Sequence, residues 1–238
     1  MSKVQAVILA GGKGSRLRPY TTILPKPLMP LGEMPIAEII IRQLKRSCIT
    51  NIAISTGHLA ELIEAFFGDG KRWGVKISYV REDIPLGTAG ALRLVKNLGD
   101  DFIAINGDVL TDVDFGTLWK FHKRKKNIAT ITIKERKVVT DFGVIETNSR
   151  GELAEYFEKP QHSSFVSMGI YLLNKRCRDY IGRNESLGMP ELMLRMKNAG
   201  EVINCFKTSA LWLDLGRLDD FEAAQDVFEK HKKRLLFG

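Results

Sequence analysis

Residues 5–10, Gln-Ala-Val-Ile-Leu-Ala, read as a buried strand that runs straight into Gly11-Gly12-Lys13-Gly14-Ser15-Arg16. A glycine-rich turn directly after such a strand removes the Cβ atoms that would keep backbone N–H groups away from an anion. Arg16 adds one fixed positive charge there, and Lys26, held between Pro25 and Pro27, adds another. Together these residues are equipped to hold a polyphosphate. The start of the chain therefore asks for a fold that presents a strand end and the turn after it to a ligand.

The remainder of the first half supplies such a fold. Apolar runs at 51–55, 76–80 and 102–106 read as further strands, and between them 36–45, 60–67 and 89–96 carry the i, i+3, i+4 apolar spacing of helices packed on a sheet. Strand–helix alternation implies right-handed crossovers and an α/β fold with a mostly parallel central sheet. The rhythm changes in the second half. Strands are expected at 128–134, 143–147, 153–158 and 165–173, as a mixed or antiparallel extension beside the parallel core. Helices are expected at 115–125, 190–197 and 218–233, with a strand at 201–207. No repeat, linker or composition break divides residues 1–238, so one domain is expected.

Composition excludes several classes. No run of 18 or more apolar residues occurs in the 238-residue chain, so no membrane span is expected. The N-terminus lacks the charged-then-apolar pattern of a signal peptide. Cys48, Cys177 and Cys205 are odd in number, far apart and in no metal-ligand spacing. A reducing cytoplasm fits them, with all three as packing residues. The formal charge of +8 gathers in runs such as 122–126 and 231–234, which have no interleaved aromatics and no nucleic-acid motif beside them. Cations at helix C-termini account for them, and no nucleic-acid partner is expected. The oligomeric state is left open, a homo-oligomer included.

The glycine turn has two familiar rivals and matches neither. It lacks the G-x-x-x-x-G-K-[ST] spacing of a Walker A loop. As a dinucleotide fingerprint it has Gly12 and Gly14 but Leu17 in place of the third glycine. The stretch 9–19, Leu-Ala-Gly-Gly-Lys-Gly-Ser-Arg-Leu-Arg-Pro, with Pro25-Lys26-Pro27-Leu28 shortly after it, instead resembles the signature of the sugar-phosphate nucleotidylyltransferases. Similarity extends through Pro85-Leu86-Gly87-Thr88-Ala89-Gly90, Asn106-Gly107-Asp108, Phe142-Gly143-Val144, Glu158-Lys159-Pro160, Gly169-Ile170-Tyr171 and Trp212-Leu213-Asp214-Leu215-Gly216. The motif set is most similar to that of the mannose 1-phosphate guanylyl branch.

This resemblance implies a Rossmann-like nucleotidyltransferase fold and the reaction of a nucleoside triphosphate with a sugar 1-phosphate to give an NDP-sugar and pyrophosphate. It implies nucleotide contacts from Leu9, Ala10, Gly11, Gly12, Gly14, Ser15, Arg16, Glu82, Gly87 and Thr88. Arg16 would meet the departing β- and γ-phosphates, and Lys26 the charge at the reacting phosphoryl group. Asp108, just past a strand end where open α/β sheets bind ligands, and Asp214 would hold Mg²⁺, which takes one or two carboxylates with phosphate oxygens. Sugar-phosphate contacts would come from Gly143, Glu158, Lys159 and Ser167, with Lys159 neutralising the 1-phosphate. At two positions the chain departs from many relatives, with Ser167 for Asn and Phe142 for Tyr, and both bear on which sugar fits. The chain carries no hexapeptide repeats, so the C-terminal β-helix of some relatives is not expected.

Which base is read turns on Glu82, where the uridylyl and thymidylyl branches tend to carry Gln. Guanine presents two adjacent donors, which suit an acceptor-only carboxylate. GTP with mannose 1-phosphate is therefore the expected pair. A heptose 1-phosphate guanylyltransferase and a uridylyl or cytidylyl enzyme stay open, as does Asp83 as reader in a shifted register. Two other classes also stay open: a non-catalytic nucleotide-sugar-binding regulator, and a glycosyltransferase using Asp112-Val113-Asp114. The second is disfavoured because that triplet stands before a helix, where Asp114 reads as its N-cap.

Overall fold

The computed structural model describes residues 4–216 and 218–236. Strand β1 (Gln5–Ala10) leads through the glycine turn to a small hairpin of β2 (Pro30–Leu31) and β3 (Met34–Pro35). Helix α1 (Ile36–Arg46), β4 (Asn51–Thr56), α2 (Ala60–Phe67) and β5 (Lys76–Arg81) come after it. Next come the single turn α3 (Gly87–Gly90), β6 (Asp101–Asn106), β7 (Val109–Thr111) and α4 (Phe115–Lys125). The second half holds β8 (Ala129–Val139), β9 (Val144–Thr147), β10 (Leu153–Phe157) and β11 (Gln161–Asn174). It ends with α5 (Met189–Asn198), β12 (Ile203–Lys207), β13 (Trp212–Asp214) and α6 (Leu218–Leu236).

Seven strands form the main sheet in the order β12-β8-β11-β6-β1-β4-β5. Among the described residues, β11 alone runs against the other six. This is the mostly parallel α/β sheet that the strand–helix alternation predicts. Side chains of β1 leave the sheet alternately, as strand geometry requires. Ala6, Ile8 and Ala10 enter one core with Ile39 of α1, Ile63 of α2 and Phe228 of α6. Val7 and Leu9 enter the other with Ala89 of α3 and Leu192 of α5. Both faces are covered, which is why β1 reads as a continuous apolar run rather than an alternating one.

Three expectations need correction. The helix expected at 89–96 is one short α-turn followed by a 3₁₀ turn over Ala91–Leu94. Ala89, Leu92 and Val95 are buried as their spacing implied, but the chain turns extended at Val95 and ends the helical track there. Strands β8 and β11 are longer than read. Residues 134–139 pair with 161–166 and, in the main, with no other strand, so they form a two-stranded ribbon beyond the sheet with no buried face to mark it. The cysteines differ as well: only Cys177 is buried, its thiol pushed up to about 12 by desolvation, while Cys48 and Cys205 are exposed. Cys205 lies on β12, an edge of the sheet. The Asp114 N-cap is as expected, its carboxylate accepting the Gly116 N–H at 2.8 Å. Among the described residues, no helix is long and apolar enough to cross a membrane.

The end of the sheet opposite the glycine turn contains His122, 1% exposed, its Nδ1 2.9 Å from the Thr130 hydroxyl. Desolvation lowers its pKa, Asp101 pulls the other way, and Lys123 adds to the lowering. The unfolded chain therefore binds this proton more readily than the folded one, so stability rises with pH up to the ordinary imidazole value of 6.5 and falls on acidification below it. His122→Asn should flatten that slope just below pH 6.5. Urea midpoints of both proteins across that window test this, and equal slopes would refute it.

Candidate active site

Strands β1 and β6 are neighbours, with Leu9 level with Asn106, so the turns after them emerge side by side. After β1 the chain tightens into a 3₁₀ turn over Ser15–Leu17, fixed by the Leu17 N–H to the Gly14 carbonyl at 2.9 Å and by the buried Leu17 side chain. The Thr21 hydroxyl donates to the same carbonyl at 2.8 Å. With Leu17 inward, Arg16 is left pointing out of the turn. Lys26 opens a second short turn, Lys26–Leu28, anchored by buried Pro27 and Leu28. Its ammonium forms an ion pair with the carboxylate of Asp108.

Asp214 arrives by another route. Strand β7 begins directly after Asp108 and pairs antiparallel with β13, Val109 facing Asp214, and the Leu215 N–H donates to the Asp108 carbonyl at 3.0 Å. This short ladder brings together two carboxylates that are remote in sequence. Arg16 joins them at Gly216: a Cβ there would stand 3.2 Å from Arg16 Nη2 and 3.0 Å from Asp214 Oδ1. Partial desolvation raises the pKa of Asp214, the negative charge of Asp108 raises it further, and Lys26 and Arg16 oppose both. A divalent cation would relieve the repulsion between the two carboxylates. Among the described residues no group of three or more His, Cys, Asp or Glu converges. A two-carboxylate donor set that leaves other positions to phosphate oxygens suits magnesium, so the residues fit it.

Three adjoining cavities meet here, with Arg16 in the wall of each. One of about 200 Å³ lies over the glycine turn, with Gly12, Ser15, Lys26 and Asp108 in its wall. A second, about 330 Å³, reaches Gly11, Ser55, Glu82, Pro85, Gly87 and Thr88. All ten residues expected at the nucleotide line one or both of these two. Thr88 also has a structural task, since its hydroxyl accepts the Met189 N–H at 2.9 Å at the start of α5. Asp83 lines a separate cavity with Lys76 and Lys96, apart from the two nucleotide-side cavities.

The third cavity, about 450 Å³, lies between Trp212–Asp214 and the ribbon residues Lys134, Glu135 and Arg136. These ribbon residues were missed in the sequence. The one signal for them was a pair of cations two apart at the end of a strand. The residues expected at the sugar are less gathered. Ser167, exposed beside the bulge in β11, donates to the Tyr171 hydroxyl at 3.0 Å. Gly143, Glu158 and Lys159 sit on the β9–β10 lobe and line none of the three cavities. A side chain at Gly143 would overlap the Tyr156 hydroxyl, so its smallness already has a packing cause.

Glu82 ties the two nucleotide-side loops together. Its Oε1 accepts the Ser55 hydroxyl and its Oε2 the Leu86 N–H at 3.0 Å. It also lies so close to Gly11 that a Cβ there would overlap its carboxylate. Each carboxylate oxygen keeps a second acceptor site.

A family model described as nucleotidyl transferase matches residues 5–231. A UTP–glucose-1-phosphate uridylyltransferase from Synechocystis sp. is 33% identical, covering 98% of this chain and 65% of the relative. A D-glycero-alpha-D-manno-heptose 1-phosphate guanylyltransferase from Aneurinibacillus thermoaerophilus is 31% identical, covering 96% of this chain and 100% of the relative. Among solved structures, a Bacillus anthracis protein assigned as a glucose-1-phosphate thymidylyltransferase superposes with a TM-score of 0.75 at 29% identity, covering 94% of each chain. This chain thus spans about two thirds of the Synechocystis protein and the whole of the Aneurinibacillus one.

Proposed function

This chain belongs to the nucleotidyl transferase family, and from that premise we propose that it joins a nucleoside triphosphate to a sugar 1-phosphate with release of pyrophosphate. The reading rests on one observation: Arg16, Lys26, Asp108 and Asp214 converge beside the glycine turn, where Arg16 lines all three cavities. The triphosphate lies along residues 11–16, whose backbone approaches it closely. An oxygen of the sugar phosphate attacks the α-phosphorus in line, and the β- and γ-phosphates leave as pyrophosphate. Nothing covalent is asked of the protein, so positioning and charge stabilisation do the catalysis. Lys26, pinned by Asp108, offers its charge to the reacting phosphoryl group with little reorganisation. Arg16 neutralises the leaving group. Asp108 and Asp214 would hold Mg²⁺, which supplies charge neutralisation and a template for the two reacting oxygens when bound. Glu158 and Lys159, from the resemblance, would approach the sugar from the lobe.

GTP is the proposed nucleotide, because the acceptor sites left on Glu82 match the adjacent N1–H and N2 amine of guanine. A manno-configured 1-phosphate, mannose first and manno-heptose second, is the proposed partner. The uridylyl reading is kept as the alternative because of the Synechocystis relative. Pyrophosphate release from a matrix of four NTPs against hexose and heptose 1-phosphates tests the whole reading. GTP with a manno-configured phosphate should be fastest; no release from any pair would sink the enzyme assignment.

Gly11→Ala gives a sharper test of the base assignment. The new methyl group pushes the Glu82 carboxylate aside and breaks its bonds to Ser55 and Leu86, so the melting temperature should fall by a few degrees while the protein stays folded. The KM for GTP should rise by about three- to tenfold, the worth of one displaced hydrogen bond of ~1 kcal/mol, and that for UTP should change less. Equal shifts for both nucleotides would take Glu82 out of base reading.

A further inference from the structure

The 450 Å³ cavity between the ribbon and β13 differs in chemistry from the two nucleotide-side cavities. One wall is the Trp212 indole, held by its N–H to the Met168 carbonyl at 2.9 Å. Asp220 and Glu135 supply carboxylates, and Arg16, Lys134 and Arg136 supply cations. An aromatic wall, acceptors for hydroxyls and cations for a phosphate form a set that suits a phosphorylated sugar, and the volume falls in the usual range for small-ligand sites. Two of the three ribbon residues are already engaged. The Lys134 ammonium donates to the Ala210 carbonyl, and Glu135 accepts the Ser163 hydroxyl. Among the described residues, Arg136 has neither an ion-pair nor a side-chain hydrogen-bond partner.

Resting on the nucleotidyl-transfer reading, we propose that Arg136 recognises the phosphate of the incoming sugar 1-phosphate. A guanidinium presents a planar fork of donors that meets two phosphate oxygens at once. Arg136 stands two residues from Lys134 on the same face of β8, so both cations look across the cavity toward Asp214 and Arg16. Its placement differs from that of Lys159, which lies on the lobe in a left-handed turn conformation (φ +46°) and outside this cavity. The ribbon thereby supplies a substrate contact as well as support for the lobe. A nucleotide's β- and γ-phosphates share the same chemistry, and the experiment separates the two sources.

Steady-state kinetics of Arg136→Ala with GTP and mannose 1-phosphate should show the KM for mannose 1-phosphate raised about tenfold or more, the effect of losing a charged hydrogen bond, with the KM for GTP unchanged. Arg136→Lys should restore part of the loss. In the reverse direction the KM for pyrophosphate should not move. A rise in the KM for GTP or pyrophosphate without one for mannose 1-phosphate would assign Arg136 to the nucleotide's phosphates and overturn the proposal, as would no change in any KM. Calorimetric titration of mannose 1-phosphate into each protein reads the inference without turnover. Weakened binding to Arg136→Ala in a protein that releases no pyrophosphate would retain the site and reject the reaction. Equal binding to both proteins, or none to the wild type, would reject the site.

Discussion

Replacing Lys26 with alanine is expected to lower kcat by about 10²–10³-fold, or ~2.7–4 kcal/mol of transition-state stabilisation, the usual effect of deleting one preorganised electrostatic donor. Lys26 is well placed to have that effect. Its side chain is only 11% exposed, its backbone is held by buried Pro27 and Leu28, and Asp108 fixes its ammonium. Alanine removes the charge and leaves Asp108 without its partner beside Asp214, so the local negative charge rises where the phosphoryl group must arrive. On the proposed reading the glycine turn and Arg16 would still bind the triphosphate, so the damage should fall on kcat more than on the KM for the nucleotide. Lys26→Arg should rescue poorly, since a forked guanidinium does not fit where a compact ammonium sits. Pyrophosphate release in the steady state is the measurement; turnover within about threefold of wild type, far short of the loss expected for such a donor, would remove Lys26 from the chemistry.

Phe102→Ala should cost about 3–5 kcal/mol of folding stability, through lost burial and the cavity left behind. Phe102 is 0% exposed and lies on β6, between β1 and β11, in the core shared with α5. The site depends on this strand, because β6 leads directly into Asn106-Gly107-Asp108. Against a typical domain stability of about 5–15 kcal/mol, such a loss should move the urea midpoint far down and reduce the folded fraction on warming. Denaturation curves fitted for midpoint and slope would show it. A change below about 1 kcal/mol would mean that the core collapses around the missing ring.

Much of this site was legible because its parts are local. Gly11 to Arg16 continue a buried strand without a break, and Asp108 stands two residues past another, so chain order alone placed them at strand ends. Asp214 was named only through a motif, and Arg136 was missed. On a ribbon exposed on both sides, a cation looks like any solvated charge. The helix expected at 89–96 failed for a related reason: apolar spacing reports which residues are buried, and it does not report whether the backbone between them is an α-helix or a 3₁₀ turn.

The layered α/β plan, the cationic turn after β1 and the kinds of charged group available are encoded locally, since period, turn chemistry and residue type are written along the chain. Which charges meet is a product of the folded arrangement. The three-residue pairing of β7 with β13 joins Asp214 to Asp108, and the extension of β8 past the sheet turns Arg136 toward them. Such contacts depend on strand register between segments distant in sequence. Register is set by packing across the whole sheet, and no local window of residues encodes it.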